Sequence, residues 1–477
     1  MNYISPWYYL FLLALMALYY IFPKKIRWSV LLAGSLAFLY LVCSKKQCLV
    51  IGLAAAASYV FGLLIERKEE KKRLFLILGI LVSAGPLFLS WFNLLIAARI
   101  IQGGFPLIIP VGLSFYSLQL IAYLADIYKG KISAQKNPLK HLLFVTFFPQ
   151  IIQGPIPRYD RLEKSLFEGN SFDFEKIFRS ILLILWGFFL KMMIADKAAV
   201  YVNTVFADYR SYSGFLILAA GVLYSLQLYA DFQACTTLSR GAAGLFGVSL
   251  GENFDHPYFA VSVQDFWRRW HISLSTWLRD YVYFPLGGSR KGKVRRYINL
   301  FITFLVSGIW HGASLKFIFW GLLHAFYQIF GGLTRDFRNS ILALLGMAEN
   351  SLVWTCLRRA GTFFWVMLAW IIFRADSLRA GLGMIFSIFT RWNGGDVVND
   401  AVFSCGLDIK DWNALILSLA VLAGASLLQE KICIRDWIMK QHLLIRWTIY
   451  MTCILTIWIF GTYGFGFNAQ DFIYGGF

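Results

Sequence analysis

The chain has 477 residues, 58% of them hydrophobic and 18% aromatic, with a mean hydropathy of +0.61. Soluble domains rarely carry so much apolar side chain, so a single membrane-embedded body over 1–477 fits better than a string of soluble domains. The formal net charge is +19, but the basic residues fall in short loops between apolar runs. That pattern matches cytoplasmic loops and makes nucleic-acid binding a poor competitor. The seven cysteines are scattered without metal-type pair spacing, so neither a disulfide framework nor a metal site is expected.

In chain order, apolar runs at 7–22, 28–43, 49–65 and 74–96 come first. Lys24, Lys25 and Arg27 follow the first run, which reads as a retained span with the N-terminus outside and 24–27 in the cytoplasm. The charged run 66–73 reads as a solvated cytoplasmic loop or helix extension. Gly-Pro segments at 105–112 and 147–158 interrupt apolar sequence. Proline frees helical carbonyls, which survive at membrane depth only in protein or against a wet cavity, so these segments are candidate tunnel walls. The polar stretches 129–140, with its Asn137-Pro138 turn, and 158–175 read as loops. Apolar runs at 177–195 and 215–229 follow.

In 267–281, Trp267, Trp270, His271, Leu274, Trp277, Leu278 and Tyr281 recur at helical spacing, with Arg268, Arg269, Arg279 and Asp280 on the other face. This predicts an amphipathic helix lying in the interface plane, with His271 pointing inward. A basic loop, Arg290, Lys291, Lys293, Arg295 and Arg296, follows Gly287-Gly288. It reads first as a topology signal and second as a phosphate-binding surface. Runs at 300–309, 315–330, 363–373, 414–428 and 445–460 complete the chain, with 334–359 along the interface and 392–412 as a polar loop. The expected fold is all-α and polytopic, with roughly 10–12 transmembrane helical segments plus re-entrant and interfacial helices.

Two histidines stand out. His311 lies in Trp310-His311-Gly312 inside an apolar run, and Trp270-His271 precedes it. A neutral imidazole is the usual side chain for moving protons near pH 7, and burying one at membrane depth usually marks function. The competing reading for each is a hydrogen-bonded core histidine. His324 falls off the His311 face of a continuous helix and suits a packing hydrogen bond. His141, His256 and His442 read as surface or interface residues. Asp126, Asp196 and Asp231 adjoin apolar sequence and can end a span, pair with a cation or line a cavity. Arg279 and Asp280 suit a polar network. No G-x-S-x-G elbow, the mark of a serine nucleophile, accompanies the histidines.

Six blocks carry a family likeness: 110–130 (PVGLSFYSLQLIAYLADIYKG), 147–159, 187–199, 252–292 (with RRWHISLS), 305–325 (with WHG) and 370–378 (WIIFRADSL). Together the chain resembles the membrane-bound O-acyltransferases, in their alginate O-acetyltransferase branch, over about 105–380. One block departs: DFQACTTLSRG keeps Asp231 and Phe232 but lacks the later acidic residue. The resemblance implies a many-helix fold around a central tunnel, in a bacterial cytoplasmic (inner) membrane. It implies transfer of an acyl group, in the first instance acetyl, from a cytoplasmic thioester donor to a hydroxyl. The donor is acetyl-CoA or an acyl carrier protein. The acceptor is an extracytoplasmic polysaccharide or a relay protein, such as a separate extracytoplasmic acetyltransferase. His311 takes the role of general base and His271 that of second functional residue. Trp310, Trp270, Arg279, Asp280 and Asp231 are the candidate substrate contacts, with no bound cofactor, no metal and membrane lipid as a partner. Two alternatives stay open: D-alanyl transfer to teichoic acid from a carrier-protein thioester, and transport of a lipid-linked glycan. The lack of an internal repeat weighs against the second.

Overall fold

The computed structural model describes residues 3–89, 110–312, 314–393, 395–463 and 472–473. Among these the secondary structure is helical throughout, with no strand. Among the described residues, seven helices are long and apolar enough to cross a membrane: Lys24–Val42, Lys45–Arg67, Phe174–Ala207, Gly214–Gly244, Leu352–Arg374, Ile409–Gln429 and Leu443–Phe460. Leu315–Leu333 and Arg335–Leu344, bent by 49°, make an eighth if counted as one span. Helices are what a bilayer demands, because they satisfy their own backbone polar groups. The chain is therefore an all-α, multi-pass membrane protein. The other apolar runs form shorter helices such as Pro6–Ile21 and Leu378–Thr390. Part of the 74–96 run and of the 105–112 segment lies outside the described residues.

Burial separates the centre from the rim. The best window of Gly214–Gly244 is 72% buried, against 11% for Leu443–Phe460. The central helix starts at Ser213, whose hydroxyl accepts from the Leu216 N–H and satisfies one of the free first-turn donors. It packs closely against Phe174–Phe188, where a Cβ on Gly241 would come 2.9 Å from the Ser180 carbonyl oxygen. That neighbouring helix widens into a π-helical stretch over Phe189–Ala195 before continuing as Asp196–Ala207. The insertion turns Lys191 inward to the carboxylates of Asp231 (2.8 Å) and Asp196 (3.0 Å).

Several loops expected from composition are ordered helix. Residues Tyr159–Phe167 form a helix within 158–175, with Tyr159, Leu162 and Leu166 buried at three- and four-residue spacing beneath a charged outer face. The basic segment is only partly a loop: the helix ending at His311 begins at Gly292, so Lys293, Arg295 and Arg296 ride its first two turns. The polar stretch after Trp392 contains a 3-10 turn, Asp400–Ser404, and Ile409 already opens a span. His141 is buried, not superficial: its Nε2 lies 2.8 Å from the Ser58 hydroxyl and its ring packs on Tyr123 at 4.8 Å. The Asn137-Pro138 turn has the capping role its residues suggest, with the Asn137 side chain accepting from the Leu139 and Lys140 N–H groups.

Candidate active site

His311 is the last residue of its helix. Gly312, at φ +150°, ends the helix in a conformation that side chains other than hydrogen rarely adopt. The chain then turns into Leu315–Leu333, which packs back on the same helix. Two glycines make this crossing close. A Cβ on Gly308 would sit 2.5 Å from the Phe317 carbonyl oxygen, and one on Gly321 would sit 2.3 Å from that of Phe304. Small residues at a helix crossing let backbones approach where lipid offers no hydrophobic drive. The crossing sets Trp320 edge-on to the His311 ring, with centroids 4.9 Å apart at 88°. Phe373, from the helix Leu352–Arg374, meets it at 5.2 Å and 87°. His311 is 4% exposed.

His271 reaches the same centre by a different backbone. The single amphipathic helix expected over 267–281 does not form. Val263–Arg269 ends, His271 takes a left-handed conformation at φ +45°, and Ile272–Leu278 starts anew before a π-helical turn at Arg279–Tyr283. Positive φ in a non-glycine residue costs energy and is a feature of functional sites. The break has a local cause: Asn253 accepts from the Ile272 N–H through its backbone carbonyl (2.9 Å) and from the Ser273 N–H through Oδ1 (3.0 Å). These bonds replace helical ones across the break. His271 is 1% exposed, and its Nδ1 lies 3.2 Å from Asn253 Oδ1.

Trp310 joins the two imidazoles. Its ring centroid is 4.7 Å from that of His311 and 6.1 Å from that of His271, and its indole N–H donates to the Ser114 carbonyl at 3.4 Å. Phe232 stands edge-on to His271 at 4.7 Å and 88°, and Phe115 packs on both His271 and Trp310. The site is thus two histidines in an aromatic shell built from five separate parts of the chain.

The other predicted contacts divide. Trp270 is buried among Phe254, Phe266 and Trp370, with centroids 5.0–5.3 Å away, a core position. Asp231 is 2% exposed and holds Lys191, while its second oxygen accepts from the Ile473 N–H at 2.7 Å. It sits one residue from Phe232 and so supports the shell from behind. Arg279 and Asp280 lie roughly two turns beyond His271, in a charged cluster. There Asp280 pairs with Arg158 (3.2 Å), and the Tyr281 hydroxyl donates to Asp126 at 2.7 Å.

His324 does not belong to a continuous helix with His311, because the chain reverses between them. Its Nδ1 accepts from the Trp267 indole N–H at 3.2 Å, and Trp320 lies between its ring and that of His311. His256 borders an apolar cavity of about 270 Å³ between Gly214–Gly244, Pro257–Phe259 and Ile409–Gln429, whose lining includes neither His271 nor His311. Among the described residues no group of three or more His, Cys, Asp or Glu side chains is placed to hold a metal ion.

Sequence reasoning passed over Asn253 and Lys191 as individual residues, and named Phe232 only as a match within its block. Lys191 had a readable signal: one lysine inside the apolar run 177–195, where an ionisable group is expensive unless paired.

A sequence model of the membrane-bound O-acyltransferase family matches residues 129–345, a segment containing both histidines. The chain is 33% identical over 436 residues to the probable alginate O-acetylase AlgI of Pseudomonas aeruginosa, covering 88% of this chain and 80% of that one. It is 34% identical over 405 residues to the peptidoglycan O-acetyltransferase of Helicobacter pylori, covering 76% and 73%. A more limited match, 31% over 228 residues, covers 45% of this chain and 57% of the teichoic acid D-alanyltransferase of Bacillus subtilis. With these likenesses spread over nearly its whole length, the chain belongs to the membrane-bound O-acyltransferase family and is an O-acyltransferase.

Proposed function

We propose that this enzyme moves an acetyl group from a cytoplasmic thioester to a hydroxyl on the outer side of a bacterial inner membrane, with His311 as general base. The observation that carries the reading is the convergence of His311 and His271 on Trp310 inside a buried aromatic shell. The acceptor hydroxyl attacks the thioester carbonyl while an imidazole nitrogen of His311 takes its proton. The carbonyl carbon becomes tetrahedral and its oxygen bears the negative charge, and His271 is placed to accept and relay the proton there. The C–S bond then breaks, the ester is formed, and the proton passes to the leaving thiolate. No group on the enzyme is acylated in this scheme.

Both rings are enclosed, and the proposal has the reactants reach them from opposite faces through a tunnel. The donor comes from the face that carries Lys24–Arg27 and the basic segment Arg290–Arg296; the acceptor comes from the other. The acceptor is a surface polysaccharide or a relay protein, such as an extracytoplasmic acetyltransferase. The long matches to alginate and peptidoglycan O-acetylating relatives support acetyl and a glycan. The shorter match to a D-alanyltransferase favours D-alanyl transfer from a carrier protein as the second reading. Family membership speaks against a lipid-linked glycan transporter.

Proteoliposomes offered acetyl-CoA, an acetylated carrier protein or a D-alanylated carrier protein separate the readings. Acceptor-dependent release of free thiol with acetyl donors supports the proposal. Release only from the D-alanyl carrier replaces it with the second reading. Release from none, with folded protein, overturns both.

A further inference from the structure

We infer that Asn253 is a positioning residue that fixes His271 as the Nδ1–H tautomer and leaves Nε2 as the basic nitrogen facing the reaction centre. The inference rests on the proposal that His271 takes part in transfer.

Three groups converge on one oxygen. Asn253 Oδ1 lies 3.0 Å from the Ser273 backbone nitrogen, 2.9 Å from the Ser273 hydroxyl and 3.2 Å from His271 Nδ1. A backbone N–H can only donate, so the atom facing Ser273 must be the carbonyl oxygen of the amide and not its nitrogen. An amide flip would set N–H against N–H. With the oxygen in place, the neutral His271 ring must present N–H at Nδ1, and its lone pair then belongs to Nε2. Asn253 itself is 1% exposed and is held through its backbone carbonyl by the Ile272 N–H at 2.9 Å, so the orienting group is rigid.

The rest of the ring is consistent with a vacant acceptor. His271 Nε2 is buried with no hydrogen-bond partner among the described residues. Buried polar atoms are nearly always bonded, and an unbonded one calls for an explanation such as a catalytic role. The left-handed backbone at His271 is held by the same asparagine, through Ile272 and Ser273. One side chain thus sets the conformation, the ring orientation and the tautomer. This is the division of labour that a partner carboxylate performs for catalytic histidines, here by a neutral amide that adds no charge to the membrane interior.

The test is nitrogen NMR of the protein in nanodiscs with ¹⁵N-labelled histidine, the His271 signals being those lost in His271→Gln. The expected wild-type result is protonated Nδ1 and unprotonated Nε2. Asn253→Asp, which keeps the acceptor, should retain this tautomer. Asn253→Ala should lose it and lower kcat at least about tenfold. An Nε2–H tautomer in the wild type overturns the inference directly, without any variant. So does an unchanged tautomer in Asn253→Ala. If the tautomer is as inferred but His271→Gln transfers acyl groups at the wild-type rate, the positioning stands and the role of His271 in transfer falls.

Discussion

Replacing Gly321 by alanine tests whether the crossing of Gly292–His311 and Leu315–Leu333 builds the site. The added Cβ would meet the Phe304 carbonyl oxygen at 2.3 Å. Backbone oxygen cannot swing away as a side chain can. To reach ordinary contact at 3.4 Å the helices must part by about 1 Å. Overpacking of this kind costs about 1–3 kcal/mol. The displaced segment carries Trp320, which stands against His311. A misplacement of about 1 Å at a reacting group can cost on the order of 100-fold in rate. Two measurements on the purified protein are needed: thermal unfolding in detergent and initial rate of acyl transfer. The expected outcome is a lowered Tm with a larger proportional loss of kcat. Gly331→Ala, where a Cβ meets nothing within 4 Å, should change neither. Wild-type Tm and kcat in Gly321→Ala would show that the close crossing does not position the histidine.

Further outcomes follow from other contacts. Lys191→Met leaves the buried carboxylates of Asp196 and Asp231 without their cation; it should destabilise the protein by about 3–5 kcal/mol, and adding Asp196→Asn and Asp231→Asn should restore much of the loss, as read by thermal unfolding. Trp267→Phe removes the donor to His324 Nδ1; it should cost about 1 kcal/mol of stability with kcat little changed, and a collapse of kcat at full stability would put His324 into the chemistry. Reversing charge at Arg295 and Arg296 should raise the donor KM and leave kcat alone if these side chains hold phosphates. An unchanged KM in correctly inserted protein would reduce the segment to a topology signal.

The polytopic helical fold was legible because the bilayer leaves so few options: long apolar runs must become helices, and those at 49–65, 414–428 and 445–460 do. The two histidines drew attention because tryptophan-flanked imidazoles in apolar sequence have few inexpensive uses, and the structure brings both against Trp310. What periodicity misread was continuity. Trp267 to Tyr281 has uninterrupted helical spacing, yet Asn253, distant in sequence, draws the Ile272 and Ser273 N–H groups away and breaks the helix at His271. His311 and His324 share one apolar run, yet Gly312 reverses the chain between them. Tertiary hydrogen bonds and a glycine conformation decided both cases, and neither leaves a mark in hydrophobic patterning. His141 was misread for a related reason: its partner, Ser58, lies 83 residues away.

The central claim is that the His311 imidazole takes the acceptor proton. Its most direct test is the single-turnover rate of acyl transfer by His311→Ala beside the wild type, at matched folding and donor binding. The account predicts a fall of at least about 100-fold with donor affinity kept; transfer at the wild-type rate would contradict it.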